Sequence, residues 1–402
     1  MEQVTATVKL KPGREKPVQN RHPWIFSGAI RSVAGQPAAG DLVTIRAHDG
    51  MWLATAYYNP HSQIRARILS WTEGEEVGEA WWRARLQQAI ATRDALNLAP
   101  QTTAYRLVNA EADQLPGLVV DRYGDYLVLQ ALTAGIDRRK ELLAQLLLQQ
   151  VPTTHGIVER SDVDVREKEG IEQTTGMLAG PEPPQNMVVQ ENGLEFVVDL
   201  LQGHKTGLYL DQRENRALLG QPRFVQDKDV LNLFSYTGGF ALFAASGGAR
   251  SIINVDSSTQ LLEEARDNMA RNFPPRAADE YIAADAFRQL REYRDRSRQF
   301  DVIILDPPKF AHTQKDVNAA TRGYKDLNWL AFRLLRPGGF LATFSCSGLI
   351  SSDLFQKVVF SAVADAGRDA QILYHLSQGP DHPTLLTFPE SAYLKGFLLR
   401  VI

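Results

Sequence analysis

Two side chains in the last quarter of the chain have the chemistry of a nucleophile and of a rigidly held acid. Cys346 is the single cysteine among 402 residues, and it lies in Phe-Ser-Cys-Ser-Gly, where small neighbours leave its sulfur accessible. A thiolate is the natural nucleophile for addition to an electron-poor ring carbon. Asp306 begins Asp-Pro-Pro-Lys, and the two prolines would fix its carboxylate at the end of a strand. A lone cysteine is more often an inert core residue, so only its position beside Asp306 favours a catalytic role.

Both side chains follow short apolar runs in a region where strand-like and helix-like segments alternate. The strand-like runs are DVLNLF, SIINVD, YIAAD, FDVIILD, GFLATFS and, at the end of the chain, YLKGFLLRVI. This alternation predicts an α/β fold with a parallel, doubly wound sheet that is covered by helices on both faces. Ligands of such sheets bind outside the carboxyl ends of the strands. Because Asp306 and Cys346 end neighbouring strands, we expect them to lie close together.

Three further strand ends carry candidate ligand-binding residues. Gly238 and Gly239 follow the first strand, where they would let the backbone turn tightly and approach a ligand. Asp256 ends the second strand 18 residues after Gly238, and an acid there can accept hydrogen bonds from both hydroxyls of a ribose. Asp285 ends the third strand and would border an adenine. These signals are weak, because no GxGxxG motif is present and helix capping explains Asp256 or Asp285 equally well.

The N-terminal part of the chain has the pattern of a small β domain. Residues 5–69 contain the strand-like runs LVTIRA, MWLATAYY and IRARIL between Gly-Asp, Asp-Gly and Asn-Pro turns, which predicts a β-barrel or sandwich. Residues 1–70 contain nine Lys or Arg and four acidic residues, a formal charge of +5, although the whole chain carries −3. Such clustering is typical of a polyanion-binding module, and equally of an ordinary solvated surface.

The middle of the chain mixes helix and strand signals. Apolar residues three and four apart predict a helix over residues 75–98. LPGLVVDRYGDYLVLQAL predicts a hairpin around Gly124-Asp125, and Asp137 would then cap a leucine-rich helix. The densest cluster of glycine and proline, GMLAGPEPPQN at residues 176–186, breaks any regular element, so we place the main domain boundary there. The predicted domains are residues 1–72, 73–185 and 186–402.

Composition excludes several classes of protein. The chain is 44% hydrophobic and 23% charged, with 29 glycines and 20 prolines, which is typical of a globular protein and excludes disorder, collagen and coiled coil. No apolar run approaches the roughly 20 residues of a membrane span, and the first residues do not form a leader, so we expect a cytosolic, soluble protein. One cysteine cannot form an internal disulfide, and eight scattered histidines lack metal-site spacing, so no metal is expected.

Eleven segments, spread over almost the whole chain, resemble the PUA-containing cytosine-C5 methyltransferases of large-subunit ribosomal RNA. They are GREK (13–16), RHPWIFSGAI (21–30), SQIRAR (62–67), LPGLVVDRYG (115–124), RSDVDVREKEG (160–170), GHKTGLYLDQR (203–213), LNLFSYTGGFA (231–241), DPPKF (306–310), RGYKDLN (322–328), FSCSGL (344–349) and YLKGF (393–397). The resemblance implies an N-terminal PUA RNA-binding domain, a central α+β domain and a Rossmann-like S-adenosylmethionine-dependent methyltransferase domain.

The resemblance also implies roles for individual residues. The implied contacts to S-adenosylmethionine are Gln212, Ser235, Tyr236, Gly238, Asp256, Ser257, Asp285 and Ala286, with the methionine part at the 235–239 turn. Cys346 would add to carbon 6 of the cytosine, and Asp306 would hydrogen-bond the ring nitrogen or the amino group and stabilise the adduct. The implied partner is large-subunit ribosomal RNA, with no membrane and no metal. The oligomeric state stays open, and a homodimer is one of the alternatives.

Several alternatives stay open at this stage. Position 309 is lysine where some two-cysteine enzymes carry their second cysteine, so the carbon-5 proton could leave to ordered water, Lys309, Tyr324 or Lys325. A methyltransferase acting on exocyclic amino groups would share the cofactor site and a DPP-like motif but has no use for a thiol. A non-catalytic RNA-binding protein would need only the basic module. An NAD-linked oxidoreductase would share the sheet and Asp256, but it should show the missing GxGxxG.

Overall fold

The computed structural model describes residues 4, 6–98, 100–203 and 206–402. The His204-Lys205 part of the GHKTGLYLDQR segment, and Thr5 at the start of the predicted β-rich region, lie outside the described residues. The chain forms two compact units. Unit 1 comprises Met1–Val189, Val198–Leu210 and Pro380–Ser391, and unit 2 comprises Gln190–Val197, Asp211–Gly379 and Ala392–Ile402. The finer division into three domains stays a prediction.

The N-terminal part of unit 1 is a six-stranded sheet. Its elements are β1 (Ala6–Leu10), α1 (Lys16–Gln19), β2 (Trp24–Phe26), β3 (Ile30–Ala34), β4 (Leu42–Arg46), β5 (Trp52–Tyr58) and β6 (Ile64–Ser70). The strands pair in the order β2-β6-β5-β4-β1-β3, and all pairs are antiparallel except β1 with β4. Val8, Ile45 and Ile68 are buried in its core. The predicted small β domain is confirmed, although strands β1 to β3 were not among the predicted runs.

The rest of unit 1 is a five-stranded sheet with helices packed against it. Its elements are α2 (Glu79–Ala95), β7 (Ala104–Asn109), β8 (Leu118–Tyr123), β9 (Tyr126–Ala131), α3 (Ala134–Asp137), α4 (Lys140–Gln150), β10 (Gly156–Ser161), α5 (Val165–Glu169) and β11 (Thr174–Ala179). The next two strands, β12 (Met187–Glu191) and β13 (Leu194–Val198), pair with each other, and their Gln190–Val197 part belongs to unit 2. The sheet order is β11-β10-β9-β8-β7. Trp82 and Leu86 of α2 share one buried core with Leu143 and Leu147 of α4. The predicted hairpin is confirmed, because Tyr123 pairs with Tyr126 across the turn.

Two local predictions in this region are wrong. Asp137 does not cap the leucine-rich helix: it is the last residue of α3, whose cap is Thr133, and its carboxylate accepts a hydrogen bond of 2.9 Å from Arg166. The 176–186 segment does not lack regular structure throughout, because residues 176–179 belong to β11. Gly176 fits an edge strand that pairs on one side only and whose register shifts nearby.

Unit 2 is a seven-stranded sheet with helices between its strands. Its elements are α6 (Arg213–Leu219), α7 (Pro222–Val225), β14 (Asp229–Leu233), α8 (Gly239–Ser246), β15 (Ser251–Asp256), α9 (Thr259–Asn272), β16 (Glu280–Ala283), α10 (Ala286–Asp295), β17 (Phe300–Leu305), α11 (Val317–Leu334), β18 (Leu335–Ser345), α12 (Ser352–Asp365), β19 (Ala370–Ser377) and β20 (Lys395–Val401). The strand order is β16-β15-β14-β17-β18-β20-β19. Strands β14 to β18 are parallel, which confirms the doubly wound fold.

The last strand departs from the parallel pattern. β20 lies between β18 and β19 and is antiparallel to both. A parallel neighbour needs a crossover connection, usually a helix, and residues 378–394 before β20 contain only a short 3₁₀ turn, Pro389–Ser391. The carboxyl ends of the five parallel strands therefore share one edge of the sheet, and the start of β20 reaches that same edge beside the end of β18. No helix in the described part of the chain is long and apolar enough to cross a membrane.

Candidate functional site

The turn after β14 has an unusual backbone. Phe234, Tyr236 and Gly238 have φ angles of +58°, +50° and +81°, so alternate residues are left-handed. Side chains other than glycine rarely adopt this region, and such strain concentrates at functional sites. The turn is held by two backbone bonds, from Ser235 N to Val255 O at 3.1 Å and from Gly238 N to Ser235 O at 2.9 Å. Two of the predicted cofactor contacts, Ser235 and Tyr236, thus lie in a rigid, strained loop.

The two glycines of this turn are small for a reason other than the predicted one. A Cβ atom on Gly238 would lie 3.0 Å from the Cβ of Ala265 on α9, and one on Gly239 would lie 3.0 Å from Cδ of Arg216 on α6. The predicted tight turn is confirmed by the φ of Gly238, but the space beside both glycines is filled by protein. Their size lets α6 and α9 pack against the turn.

A buried asparagine also fixes the turn. Asn268 of α9 donates from Nδ2 to the backbone oxygen of Thr237 at 3.1 Å, and its Oδ1 accepts from Val197 N of β13 at 2.9 Å. Arg216 is held in turn by a fully buried ion pair with Glu191, whose two contacts are 2.7 and 2.5 Å. No local sequence pattern signals these contacts, because they join residues distant in the chain.

Asp256 faces the turn from the next strand. Its two carboxylate oxygens accept hydrogen bonds of 3.0 Å from the backbone N–H groups of Tyr236 and Ser258. It is half-buried and does not cap α9, because Ser258 does so through its own hydroxyl. Ser257, between them, is exposed. A carboxylate oxygen has two lone pairs, so Asp256 keeps acceptor capacity for a ligand hydroxyl.

Asp285 has the helix-capping role that the sequence left open. Its carboxylate accepts a hydrogen bond of 2.9 Å from the backbone N–H of Arg288 and caps α10, whose first residue, Ala286, is buried. Asp285 itself is exposed at the end of the strand next to that of Asp256. The structure therefore shows a structural contact for Asp285, and a contact to adenine stays a prediction.

Gln212 lies at the start of α6, the helix whose Arg216 packs on Gly239. Its side chain is buried, and its Oε1 accepts a hydrogen bond of 2.6 Å from Asn215. This contact ties the Gln212 side chain to the first turn of α6. The cofactor role of Gln212 stays a prediction.

One orphaned polar atom indicates that the turn is built to hold a polar ligand. The hydroxyl oxygen of Ser235 is buried and has no hydrogen-bond partner among the described residues. Such a group is unfavourable unless a ligand or water completes its bonding. A ligand with a polar amino-acid end at Ser235 and a ribose at Asp256 fits the groups present.

Asp306 and Cys346 follow adjacent parallel strands, as predicted. Leu305, the last residue of β17, pairs with Thr343 of β18, so the strands end side by side. Asp306 and Cys346 are both partly exposed, whereas Pro307 is buried. The two side chains therefore lie at the same accessible edge of the sheet.

Two buried serines anchor the residues on either side of Cys346. The hydroxyl of Ser345 donates a hydrogen bond of 3.0 Å to the phenol oxygen of Tyr324, and that of Ser347 donates one of 3.0 Å to the backbone oxygen of Ala311. Both serines are fully buried. The thiol is thus presented on a short segment that is fixed at both ends.

Tyr324 lies beneath this segment on α11. Burial raises the pKa of Tyr324 to about 12, and the negative charges of Cys346 and Asp306 act in the same direction. Its ring packs against Phe310 of the DPPKF segment, with 4.7 Å between ring centroids. By contrast, Lys325 is directed to the C-terminal end of α12, where it pairs with Asp365 at 2.6 Å. Of these two neighbours in sequence, only Tyr324 belongs to the site.

Lys395, which sequence reasoning missed, is a buried cation at the same edge. Its Nζ donates hydrogen bonds of 2.6 Å to the backbone oxygen of Ser347 and 2.8 Å to that of Ile350. Burial lowers its pKa to about 8; Lys309 acts in the same direction, and Cys346 opposes the shift. The available signal was a lysine at the start of the final apolar strand, in YLKGF.

In unit 1, one basic residue that the sequence analysis counted toward a polyanion-binding surface is buried. Arg67 is buried and forms an ion pair of 2.8 Å with the buried Glu169, so it cannot contact a phosphate. The exposed basic residues of the N-terminal sheet region include Lys11, Arg14, Lys16, Arg21 and Arg31. The basic surface is therefore smaller than the number of basic residues in the sequence suggested.

Comparisons with known proteins agree with this architecture. A PUA-like domain model matches residues 8–71, and an S-adenosylmethionine-dependent methyltransferase model matches residues 159–400. The chain is 50% identical to ribosomal RNA large subunit methyltransferase I of Shewanella amazonensis, over 98% of this chain and 99% of that protein. It is 48% identical to the protein of that name from Vibrio parahaemolyticus, over 99% and 100%.

Two solved structures share the fold of the whole chain. One is described as an S-adenosylmethionine-dependent methyltransferase from Streptococcus mutans, with a TM-score of 0.85 and 22% identity. The other is described as a methyltransferase in complex with SAH, with a TM-score of 0.86 and 23% identity. Each match covers 99% of this chain and 100% of the other.

Proposed function

This chain belongs to the ribosomal RNA large subunit methyltransferase I family of S-adenosylmethionine-dependent enzymes, and we propose that it methylates carbon 5 of a cytosine in that RNA through a covalent bond to Cys346. The position of Cys346 is the observation that supports this proposal. An exocyclic amino group can attack a methyl donor with its own lone pair and needs no thiol. Carbon 5 of cytosine is a poor nucleophile until another group adds to carbon 6, and a thiolate is suited to that addition.

The cofactor site assigned here is the edge formed by β14, β15 and β16. When bound, S-adenosylmethionine supplies an electrophilic methyl group on its sulfonium. We assign its methionine part to the turn around Ser235, Tyr236 and Gly238, because the Ser235 hydroxyl has no partner among the described residues, and its ribose to Asp256. The remaining proposed contacts are Gln212, Ser257, Asp285 and Ala286.

Cys346 and Asp306 would act on different atoms of the cytosine. The sulfur of Cys346 forms a bond to carbon 6, and the electrons of the 5,6 double bond make carbon 5 nucleophilic. Asp306 accepts a hydrogen bond from the amino group or, when protonated, donates one to the ring nitrogen, where negative charge develops. Carbon 5 would take the methyl group as the bond between that group and the sulfonium sulfur breaks, which leaves S-adenosylhomocysteine. The methylated carbon 5 then loses its proton, the electron pair restores the double bond, and the bond between sulfur and carbon 6 breaks to release the thiolate.

Two of the four candidate acceptors for the carbon-5 proton are poorly suited to that role. The raised pKa of Tyr324, about 12, keeps its phenol protonated at neutral pH, which makes it a poor base. Lys325 is engaged with Asp365. Ordered water and Lys309, which is exposed in the loop after Asp306, therefore stay as candidates.

The N-terminal domain would supply RNA affinity. We retain the division into residues 1–72, 73–185 and 186–402 as a proposal, with the first as the PUA domain. Its exposed basic residues, Lys11, Arg14 and Lys16 among them, are suited to phosphate contacts.

The product identifies the reaction. Large-subunit ribosomal RNA that lacks base modifications is incubated with the full chain and S-adenosylmethionine carrying a labelled methyl group, and the RNA is digested to nucleosides. Chromatography with mass detection should place the label in 5-methylcytidine. Label in N4-methylcytidine, or in any other base, would favour the amino-group reaction and contradict the role of Cys346.

A further inference from the structure

The Lys395 ammonium is a buried charge that the mechanism above leaves without a role. Lys395 begins β20 and pairs directly with Ser345, the residue before Cys346. Two of its three N–H donors bind the backbone oxygens of Ser347 and Ile350. Lys395 therefore holds the thiol segment at two places: its backbone pairs with the residue before Cys346, and its ammonium binds the turn after it.

The groups around Cys346 have different charges. Asp306 follows β17 and Tyr324 lies on α11; Lys309 is in the loop after Asp306, and Lys395 is on β20. Tyr324 is neutral at physiological pH, because its pKa is about 12. Lys309 is exposed, so water screens its charge. Lys395 is thus a buried cation whose charge interacts with Cys346.

We infer that Lys395 is a positioning residue for the covalent step: its ammonium stabilises Cys346 as a thiolate and fixes the Ser347 to Ile350 turn that presents the sulfur. The catalytic consequence rests on the proposed function. A cation in a medium of low polarity stabilises a neighbouring anion more strongly than an exposed one does. Asp306 follows the neighbouring strand, and a carboxylate at that edge would oppose ionisation of the thiol, an effect that a buried cation offsets.

A pH dependence follows from this pairing. Lys395 has a pKa lowered to about 8 by burial, so its ammonium is present below that pH and is lost above it. As the pH rises from acid values, the thiol of Cys346 ionises and methyl transfer increases. Above about pH 8, Lys395 loses its proton and the stabilisation ends. The methylation rate should therefore rise and then fall with pH.

The inference can be tested without RNA or cofactor, because Cys346 is the single thiol of the chain. The rate of alkylation by iodoacetamide is measured by intact mass between pH 5 and 10. Lys395→Met should move the midpoint upward by at least about one pH unit, which is about tenfold slower alkylation at neutral pH. Lys395→Arg should stay near the wild type, and Lys309→Met should shift the midpoint less than Lys395→Met.

Two outcomes would overturn the inference. One is an alkylation profile of Lys395→Met that coincides with that of the wild type. If Lys395→Met does not fold, the alkylation midpoint of the wild-type chain is measured in the native state and in urea. A native midpoint at or above the midpoint in urea would also overturn the inference. The alkylation midpoints do not depend on the methylated product. A shifted midpoint without any 5-methylcytidine would therefore contradict the proposed reaction and still support the pairing of the Lys395 ammonium with the Cys346 thiolate.

Discussion

The hydroxyl of Ser345 donates a hydrogen bond of 3.0 Å to the phenol oxygen of Tyr324, which ties the end of β18 to α11 directly beside Cys346. Both residues are buried, so neither can exchange this bond for one to bulk water. The position of the thiol thus depends on a tyrosine that is 22 residues earlier in the chain.

Tyr324→Phe should therefore act on the position of Cys346 and on stability. Loss of the phenol oxygen leaves the Ser345 hydroxyl buried without that partner, and we expect a loss of about 1–3 kcal/mol in the free energy of unfolding. Urea denaturation measures it. The methylation rate should fall less than about tenfold, whereas loss of a true general base costs about 10²–10⁴-fold. A fall of that larger size would show that Tyr324 transfers the proton.

Asp256→Ala should weaken cofactor binding strongly. The carboxylate orders Tyr236 N and, in the proposed site, accepts from the ribose. A hydrogen bond to a charged group contributes about 1.5–3 kcal/mol, so we expect the affinity for S-adenosylhomocysteine to fall about 10–100-fold by calorimetry.

The matched comparison for this change is Asp285→Asn, since asparagine keeps the helix cap of α10. It should alter the affinity less than Asp256→Ala does. Equal losses in the two variants would argue against the assignment of the ribose to Asp256.

The basic surface of the N-terminal domain should contribute to RNA affinity through phosphates. Lys11, Arg14 and Lys16 are exposed, and replacing all three by alanine should weaken binding to RNA. The dependence of this binding on salt should also flatten, by about 0.7 in log–log slope for each phosphate of single-stranded RNA that is no longer neutralised. Filter binding at several salt concentrations measures both.

The control for this triple variant removes three exposed basic residues from unit 2, namely Arg288, Arg296 and Lys357. Equal effects of the two triple variants would mean that net charge, and not the N-terminal domain, sets the affinity. Substitution is preferable to deletion of residues 1–70, because Tyr57 is buried and donates a hydrogen bond of 2.6 Å to Pro116 O in the rest of unit 1.

Arg67→Met should behave differently from those surface changes. It leaves Glu169 as a buried charge without its guanidinium partner, and breaking a buried ion pair costs about 3–5 kcal/mol. We expect a large drop in the denaturation midpoint. At temperatures where the variant stays folded, the salt dependence of RNA binding should not change. A flatter salt dependence would mean that Arg67 reaches a phosphate.

The sequence could predict the parts of the fold that local patterns specify. The parallel strands of unit 2 are continuous apolar runs because they are buried on both faces, and their ends place Asp306 beside Cys346. The hairpin around Gly124-Asp125 follows equally from local turn chemistry.

The remaining features depend on contacts between distant segments. Asp137 looks like a helix cap until Arg166, 29 residues later, is seen to bind it. Lys395 lies 49 residues after Cys346, and only the antiparallel insertion of β20 brings it to the thiol segment. Likewise, the sequence alone predicts a surface charge at Arg67, because its ion-pair partner Glu169 is distant in the chain.

The covalent role of Cys346 is tested most directly with RNA that contains 5-fluorocytidine. Fluorine replaces the proton that must leave carbon 5, so elimination stalls and the wild-type chain should remain attached to the RNA in a denaturing gel when S-adenosylmethionine is present. Cys346→Ala should form no adduct and no 5-methylcytidine, while its affinity for S-adenosylhomocysteine stays within a few fold. Near-normal methylation by Cys346→Ala would contradict the account, because the thiol would then be only a partly buried side chain at the end of β18.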